Sequence, residues 1–272
     1  MRKFLSLILS AITLLSLSSI SFAAEPTQIE LSDEVLLSLS LQDFSDCYDY
    51  LLQYKEQNPL CTSETLDELA SNFYVQRYLS KASTPSPQQD EWYDDYIMEI
   101  GNLNPDELAL AKKYPSDLAA VGSSKEIATN EADSRYWGGA YLGNKDAFRH
   151  AAWNALIICR FYALQKGDFD WCLERTRLWT TAHETGASRP SDQSAAQFSV
   201  DQEMDMLNNA AGRAAAETTY TSEYLALQKV QQYVDNGWCK RIKTDAQTGY
   251  SRAQMLAIPT WTLRSTNTAG KN

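Results

Sequence analysis

DAFRHAAWNALIICRFYAL, residues 146–164, decides the fold. The stretch contains neither glycine nor proline, and from Ala147 to Cys159 it is apolar on nearly every side. Alanine is the best helix former, and a helix that is apolar all round has to be buried all round. Such a helix needs other helices to cover it. Gly138, Gly139 and Gly143 break the chain before it, and Gly167 breaks it afterwards.

Apolar residues at helical spacing recur on both sides. Downstream, helices are predicted over 168–183, 200–217 and 223–236. Upstream, Asn104-Pro105-Asp106 starts a helix with proline in its first turn and acid at the positive end of the dipole. That helix runs to Lys113 and stops before Tyr114-Pro115, and a looser helical pattern covers 116–132. Residues 31–57 and 63–80 carry leucines and aromatics at three-to-four spacing. The polar run 83–89, with Pro85 and Pro87, cannot continue a helix. No internal repeat and no strand hairpin is legible. The prediction is an all-α, multi-helix bundle with buried polar helices and an N-terminal helical subdomain. Residues 24–90 form the N-terminal helical region and Ser/Pro linker, and 91–240 the motif-bearing domain. Residues 241–272 form an irregular tail, with Trp261 folding back onto the core.

Residues 1–23 read as a secretory signal peptide: Arg2 and Lys3, an apolar run from Phe4 to Leu17, and small residues Ser21 and Ala23 before a cut at Ala24. No later stretch approaches the length needed to span a bilayer. The expectation is export by the general pathway to the periplasm or the medium, without stable membrane insertion. The 272 residues carry 24 Lys+Arg against 35 Asp+Glu, a formal net charge of −11. That balance argues against nucleic acid, which needs basic surface. In an oxidising compartment the five cysteines read as bridges: Cys47–Cys61 closing a short loop, Cys159–Cys172 stapling a hairpin, and Cys239 left over. No CxxC pair supports a zinc ribbon.

Three polar clusters interrupt apolar surroundings. Asp146, His150 and Asn154 form an i, i+4, i+8 stripe beside Arg149 and Trp153. His183-Glu184 ends the helix over 168–183. Asp205, Asn209 and Arg213 form a second stripe, with Asn208 adjacent. Both histidines of the chain fall in these clusters. Buried polar groups cost about 1–3 kcal/mol each if unpaired, so they need one another, water or a ligand. Three helices sharing polar stripes is how bundles build sites.

Over about residues 103–216 the chain resembles a family of uncharacterised bacterial domains, found in secreted or surface proteins and at the ends of toxin-like polypeptides. The resemblance rests on ordered motifs: Tyr114-Pro115, then Asp146 to Ala155, then Ala182-His183-Glu184, then Met204 to Arg213. It implies a small all-α domain whose motifs converge. Where the family pattern has an aliphatic residue or histidine, this chain has Met206-Leu207, which removes a third imidazole.

Two chemistries fit these residues. In the first, His150, His183 and Asp205 hold one divalent metal ion, and Glu184 acts as base toward its water. In the second, Asp205 orients His150 as a metal-free acid/base, and Arg149 or Arg213 stabilises an oxyanion or phosphate. Trp153, Asn154, Asn208 and Asn209 join the two arginines as substrate-binding candidates. HExxH, GxSxG and a phosphate-cradling glycine loop are all absent. The expectation is an exported hydrolase, acting on a small-molecule or envelope substrate such as a lipid or cell-wall ester or phosphodiester. The alternative is a non-catalytic helical binding or inhibitor protein in which the cluster is structural. Its protein partner would dock on Phe73, Tyr74, Tyr78, Trp92, Tyr93 and Tyr96 of the N-terminal helices, unless those aromatics are core.

Overall fold

Ser40, Asn104, Asp168 and Ser194 each stand one residue before a helix, with a side-chain oxygen accepting a backbone N–H of the first turn. That satisfies donors a helix start leaves open. The computed structural model describes residues 31–82 and 103–272. The signal peptide read over 1–23, the linker over 83–89 and the aromatics Trp92, Tyr93 and Tyr96 lie outside the described residues. Among the described residues, α1 is Asp33–Leu37, α2 Leu41–Gln57, α3 Ser63–Ala82, α4 Pro105–Lys113 and α5 Pro115–Arg135. These are followed by α6 Asn144–Ala163, α7 Phe169–Gly186, α8 Ala195–Ala216, α9 Glu223–Asp235 and the short α10 Arg252–Leu256. The fold is all-α, with one small exception in the tail.

Helix α6 is the central element and packs against α5, α7, α8 and α9. Nearly every residue from Ala147 to Phe161 is buried, as its all-round apolar sequence requires. Its crossing with α8 is very close. A Cβ built on Gly212 of α8 would lie 2.0 Å from the carbonyl oxygen of Ala151, so glycine alone permits this approach.

The stretch read as a looser helix is instead the second buried one. In α5, Leu118 to Ser124 are buried, and Phe44 of α2 lies over Gly122, where a Cβ would meet its ring at 2.3 Å. Small residues made the pattern faint because they let neighbours approach without being strongly apolar. Their hydroxyls are satisfied within the helix: Ser123 and Ser124 donate to the carbonyls of Ala119 and Ala120. Helices α2 and α3 pack on α5, and their Phe44, Leu51, Leu66 and Tyr74 join the same core as Trp179 and Phe161. Tyr74 is fully buried, with its ring edge-on to Phe44, and Phe73 stacks on Tyr50.

The tail contains a feature that periodicity missed. Lys240–Arg241 (β1) pairs antiparallel with Arg264–Ser265 (β2), strands too short to show alternation. Trp261 does pack inward, in a second apolar cluster with Leu142, Met204, Ile242 and Met255.

The predicted disulfides are corrected. All five cysteines are free thiols: neither Cys47–Cys61 nor Cys159–Cys172 is formed. Their surroundings explain it. Cys47 is buried beside Tyr74, whereas Cys61 lies on the partly open turn before α3. The Cys159 thiol points to the carbonyl of Thr219 and the Cys172 thiol to that of Gly167. Burial pushes the thiols of Cys47, Cys159, Cys172 and Cys239 up to about 12.

Candidate functional site

The two sequence stripes face each other because α6 and α8 cross where Gly212 lets them approach. His150 is the meeting point. Its Nε2 lies 3.4 Å from Asp205 Oδ1 of α8 and 3.6 Å from Asp146 Oδ1 one turn back on α6. Its Nδ1 faces Glu184 Oε1 at the end of α7, at 3.4 Å. One ligand atom from each of Asp146, His150 and Asp205 falls within 4.8 Å of the others. Asp205 Oδ1 and His150 Nδ1 are buried and make no hydrogen bond among the described residues.

A third contact bears on the tautomer of His150. Arg149 Nη2 lies 3.0 Å from His150 Nε2. A guanidinium has only donors, so the contact is attractive only when Nε2 offers its lone pair. In that tautomer Nδ1 carries the proton and faces Glu184. A carboxylate behind the imidazole, with the far nitrogen free to accept, is how metal-binding histidines are held. Asn209 Nδ2 fixes Glu184 in turn, donating to Oε1 at 2.9 Å.

Behind Glu184 runs a closed polar chain. Asn154 Nδ2 donates to Asn209 Oδ1 at 2.7 Å, while Thr180 and Arg213 donate to Asn154 Oδ1. In Asn209→Ala, Glu184 and the Asn154 amide both lose partners in a buried setting, which should lower unfolding free energy by about 2–3 kcal/mol. Denaturant midpoints with an unchanged slope would register it.

The loop ahead of α6 is also held tightly. Leu142 has φ +63°, a strained conformation for a leucine. Its N–H donates to Asp146 Oδ2 at 2.7 Å, and its carbonyl accepts from both Ile242 and Lys243. Asp146 thus ties the loop with one oxygen and turns the other to the cluster. Strain of this kind persists where the surroundings over-determine it.

These groups line a pocket of about 250 Å³. The carboxylates Asp146, Glu184, Asp201 and Asp205 form one wall, with the imidazoles His150 and His183 beside them. Arg149, Lys125 and Arg252 bring positive charge, and Leu142, Leu256 and Trp261 an apolar side. Asp205 and Asp201 are shifted one way and Glu184 the other. Burial, then the charges of Glu184, Asp146 and Asp201, push Asp205 well above its usual range. Burial, then the charge of Asp146, raises Asp201 to about 7, against a hydrogen bond from Gln193. Burial would raise Glu184 too, but His150, the nearby His183 and the Asn209 amide hold it down at about 2. Environments that push neighbouring carboxyls apart are found at acid/base sites and in structural ion-pair networks alike.

The raised Asp201 makes stability pH-dependent. Its folded form binds the proton more tightly than the unfolded chain, so stability is gained as pH falls through about 7 and lost as pH rises. With chelator present, wild type should lose about 1 kcal/mol between about pH 6 and about pH 8. Asp201→Asn should flatten this segment of the profile, which thermal melts across that range would show.

The remaining sequence candidates lie elsewhere. His183 Nδ1 turns to Glu107 Oε1 at 2.8 Å and its ring meets Trp153 edge-on, so Asp146 rather than His183 completes the trio around His150. His183 still lines the pocket. Glu107 is held to its charged form: burial is outweighed by His183, Lys125 and the Asn104 N–H. Trp153 donates to Val121 O, and Asn208 bonds both backbone groups of Lys240 to pin β1. Trp153, Asn154, Asn208, Asn209 and Arg213 are not among the pocket-lining residues. Asp201 was missed, although it continues the Asp205–Asn209–Arg213 stripe by one turn toward the N-terminus. Glu107 was missed as well; its signal was the Asn104-x-x-Glu107 capping box.

No curated protein and no solved structure matches the chain. Glu107, which holds His183, and the pocket-lining Arg252, Leu256 and Trp261 fall outside the stretch matched by the family model. Residues 108–238, which carry Asp146, Arg149, His150, His183, Glu184, Asp201 and Asp205, match the family model of a domain of unknown function, DUF6973.

Proposed function

We propose that the protein is a metal-assisted hydrolase of the cell envelope, cleaving an ester or phosphodiester. The observation that carries this is the convergence of His150 Nε2, Asp146 Oδ1 and Asp205 Oδ1 on a pocket wall, with Asp205 Oδ1 buried and unpartnered among the described residues. One imidazole and two carboxylates suit a divalent first-row cation such as Mn²⁺ or Zn²⁺. Bound there, such an ion would supply a water acidic enough to give hydroxide near neutrality. The chain's own residues divide the remaining work. Glu184 faces His150 Nδ1 at 3.4 Å and is engaged by Asn209, so the role of base passes from Glu184 to Asp201. Asp201 lines the pocket and takes up a proton near about 7, which suits it to collect the proton of an attacking water. The envelope location rests on the signal-peptide reading of residues 1–23.

The test is elemental analysis of protein purified without chelator or affinity metal, followed by turnover of p-nitrophenyl esters and bis-p-nitrophenyl phosphate with added Mn²⁺ or Zn²⁺. Stoichiometric metal together with metal-dependent turnover is the expected result. Protein that binds neither ion and turns over neither substrate would return the cluster to a structural role in a helical binding protein.

A further inference from the structure

Arg149 sits where an ion's ligands would have to be free. Its Nη2 lies 2.5 Å from Asp146 Oδ1 and 3.0 Å from His150 Nε2, so one guanidinium nitrogen bridges two of the three candidate ligand atoms. An imidazole nitrogen has a single lone pair in the ring plane. Once Arg149 donates to it, no metal ion can share it, because metal–nitrogen bonds of about 2.0–2.1 Å use that same lone pair. The side chain of Arg149 is one-quarter exposed and lines the pocket, so it has somewhere to go.

We propose that Arg149 is a built-in counter-cation that occupies the metal site and sets which ions can enter it. The inference rests on the metal-site reading above. An entering ion must take both Asp146 Oδ1 and His150 Nε2 from the guanidinium. Ions with real affinity for imidazole nitrogen, such as Mn²⁺ and more strongly Zn²⁺, recover that loss at His150. Mg²⁺ and Ca²⁺ prefer oxygen and gain little there. Arg149 therefore sets a threshold that ions gaining at His150 clear and the abundant oxygen-seeking cations do not. It also keeps Asp146 and Asp205 from facing each other uncompensated.

A purely structural role makes the opposite prediction. If Arg149 merely holds Asp146 and His150 in place, its removal loosens the site and weakens metal binding. If it competes, its removal tightens binding, since the competitor and its repulsion of the ion disappear together.

The test measures Mn²⁺ and Ca²⁺ affinity by calorimetry on the full mature chain, stripped with chelator and then dialysed. Wild type is compared with Arg149→Met, which keeps the apolar stem without a donor. Arg149→Ala serves as a second variant, and thermal melts establish that each is folded. Expected are Mn²⁺ binding at least about tenfold tighter in both variants, and Ca²⁺ binding that becomes measurable. Tenfold corresponds to about 1.4 kcal/mol, just under the lower end of the range for one hydrogen bond to a charged group. Binding in the variants but not in wild type also supports the proposal. Equal or weaker Mn²⁺ binding in folded variants, with wild type binding normally, overturns it while leaving the metal site standing. No binding in any of the three proteins overturns the metal site itself, and this inference with it.

Discussion

Gly212→Ala should destabilise the protein by about 3 kcal/mol or more, because an added Cβ meets its neighbours more closely here than at any other described glycine. The added Cβ would stand 2.0 Å from the carbonyl oxygen of Ala151, 2.7 Å from its carbonyl carbon and 2.8 Å from its Cα. These are backbone atoms of a helix buried on all sides, so no side chain can rotate away. Helix α8 would have to retreat from α6 by more than about 1 Å to restore ordinary contact distances. The retreat acts at the point where the site is assembled. It draws Asn209 from Asn154, now 2.7 Å apart, and Asp205 from His150, now 3.4 Å apart. Chemical denaturation gives the stability loss, and metal affinity should fall with it. Ala151→Gly added to Gly212→Ala is a sharp control: it leaves the clashing carbonyl in place and should not rescue. Rescue would mean that the crossing is limited by side-chain volume instead.

His150→Ala should remove divalent-ion binding by about a hundredfold or more while leaving the protein folded. Two arguments meet here. His150 provides the single nitrogen of the trio, and its loss leaves two carboxylates, a poor site for Zn²⁺ or Mn²⁺. Its loss from the fold is milder, because Nδ1 makes no hydrogen bond among the described residues and Glu184 keeps the Asn209 amide. A stability loss of about 1–2 kcal/mol is expected, below the several kcal/mol that breaking a satisfied buried ion pair brings. Glu184 also loses one of the groups holding it near 2, so its carboxyl should titrate higher in the variant. Melts and calorimetry on the same preparations separate the readings. Loss of ion binding in a stable protein supports the catalytic site; severe unfolding with no ion bound even by wild type would return His150 to scaffolding.

Much of the architecture was legible because it is local. The all-round apolar run from Ala147 to Cys159 could only be a buried helix, and Asn104, Asp168 and the Gly138–Gly143 breaks marked its neighbours. The i, i+4 spacing placed Asp146 and His150 on one face and Asp205 and Asn209 on another, which is helix geometry and needs no tertiary information. Helix α5 was harder to weigh, because Ala119, Ala120, Gly122, Ser123 and Ser124 are buried for their small size rather than their hydrophobicity. The β1–β2 pair was invisible for lack of length.

Which polar residues share a site is a different kind of question. His183 and His150 carry the same chemistry in the sequence, yet one meets Glu107 from α4 and the other meets Asp205 from α8. That choice follows from the helix packing, chiefly the close approach at Gly212. The cysteines illustrate the same division: short separations suggested bridges, while burial and thiol direction keep them apart. The sequence alone determined that this is a helical protein with polar stripes that must be answered inside it, because periodicity and the penalty on unpaired buried groups act along the chain. Only the tertiary structure decided that Asp146 joins His150 and Asp205, that Arg149 stands among them, and that Asp201 is pushed to about 7. Distance and desolvation across packed helices set those outcomes, and neither is written in the order of residues.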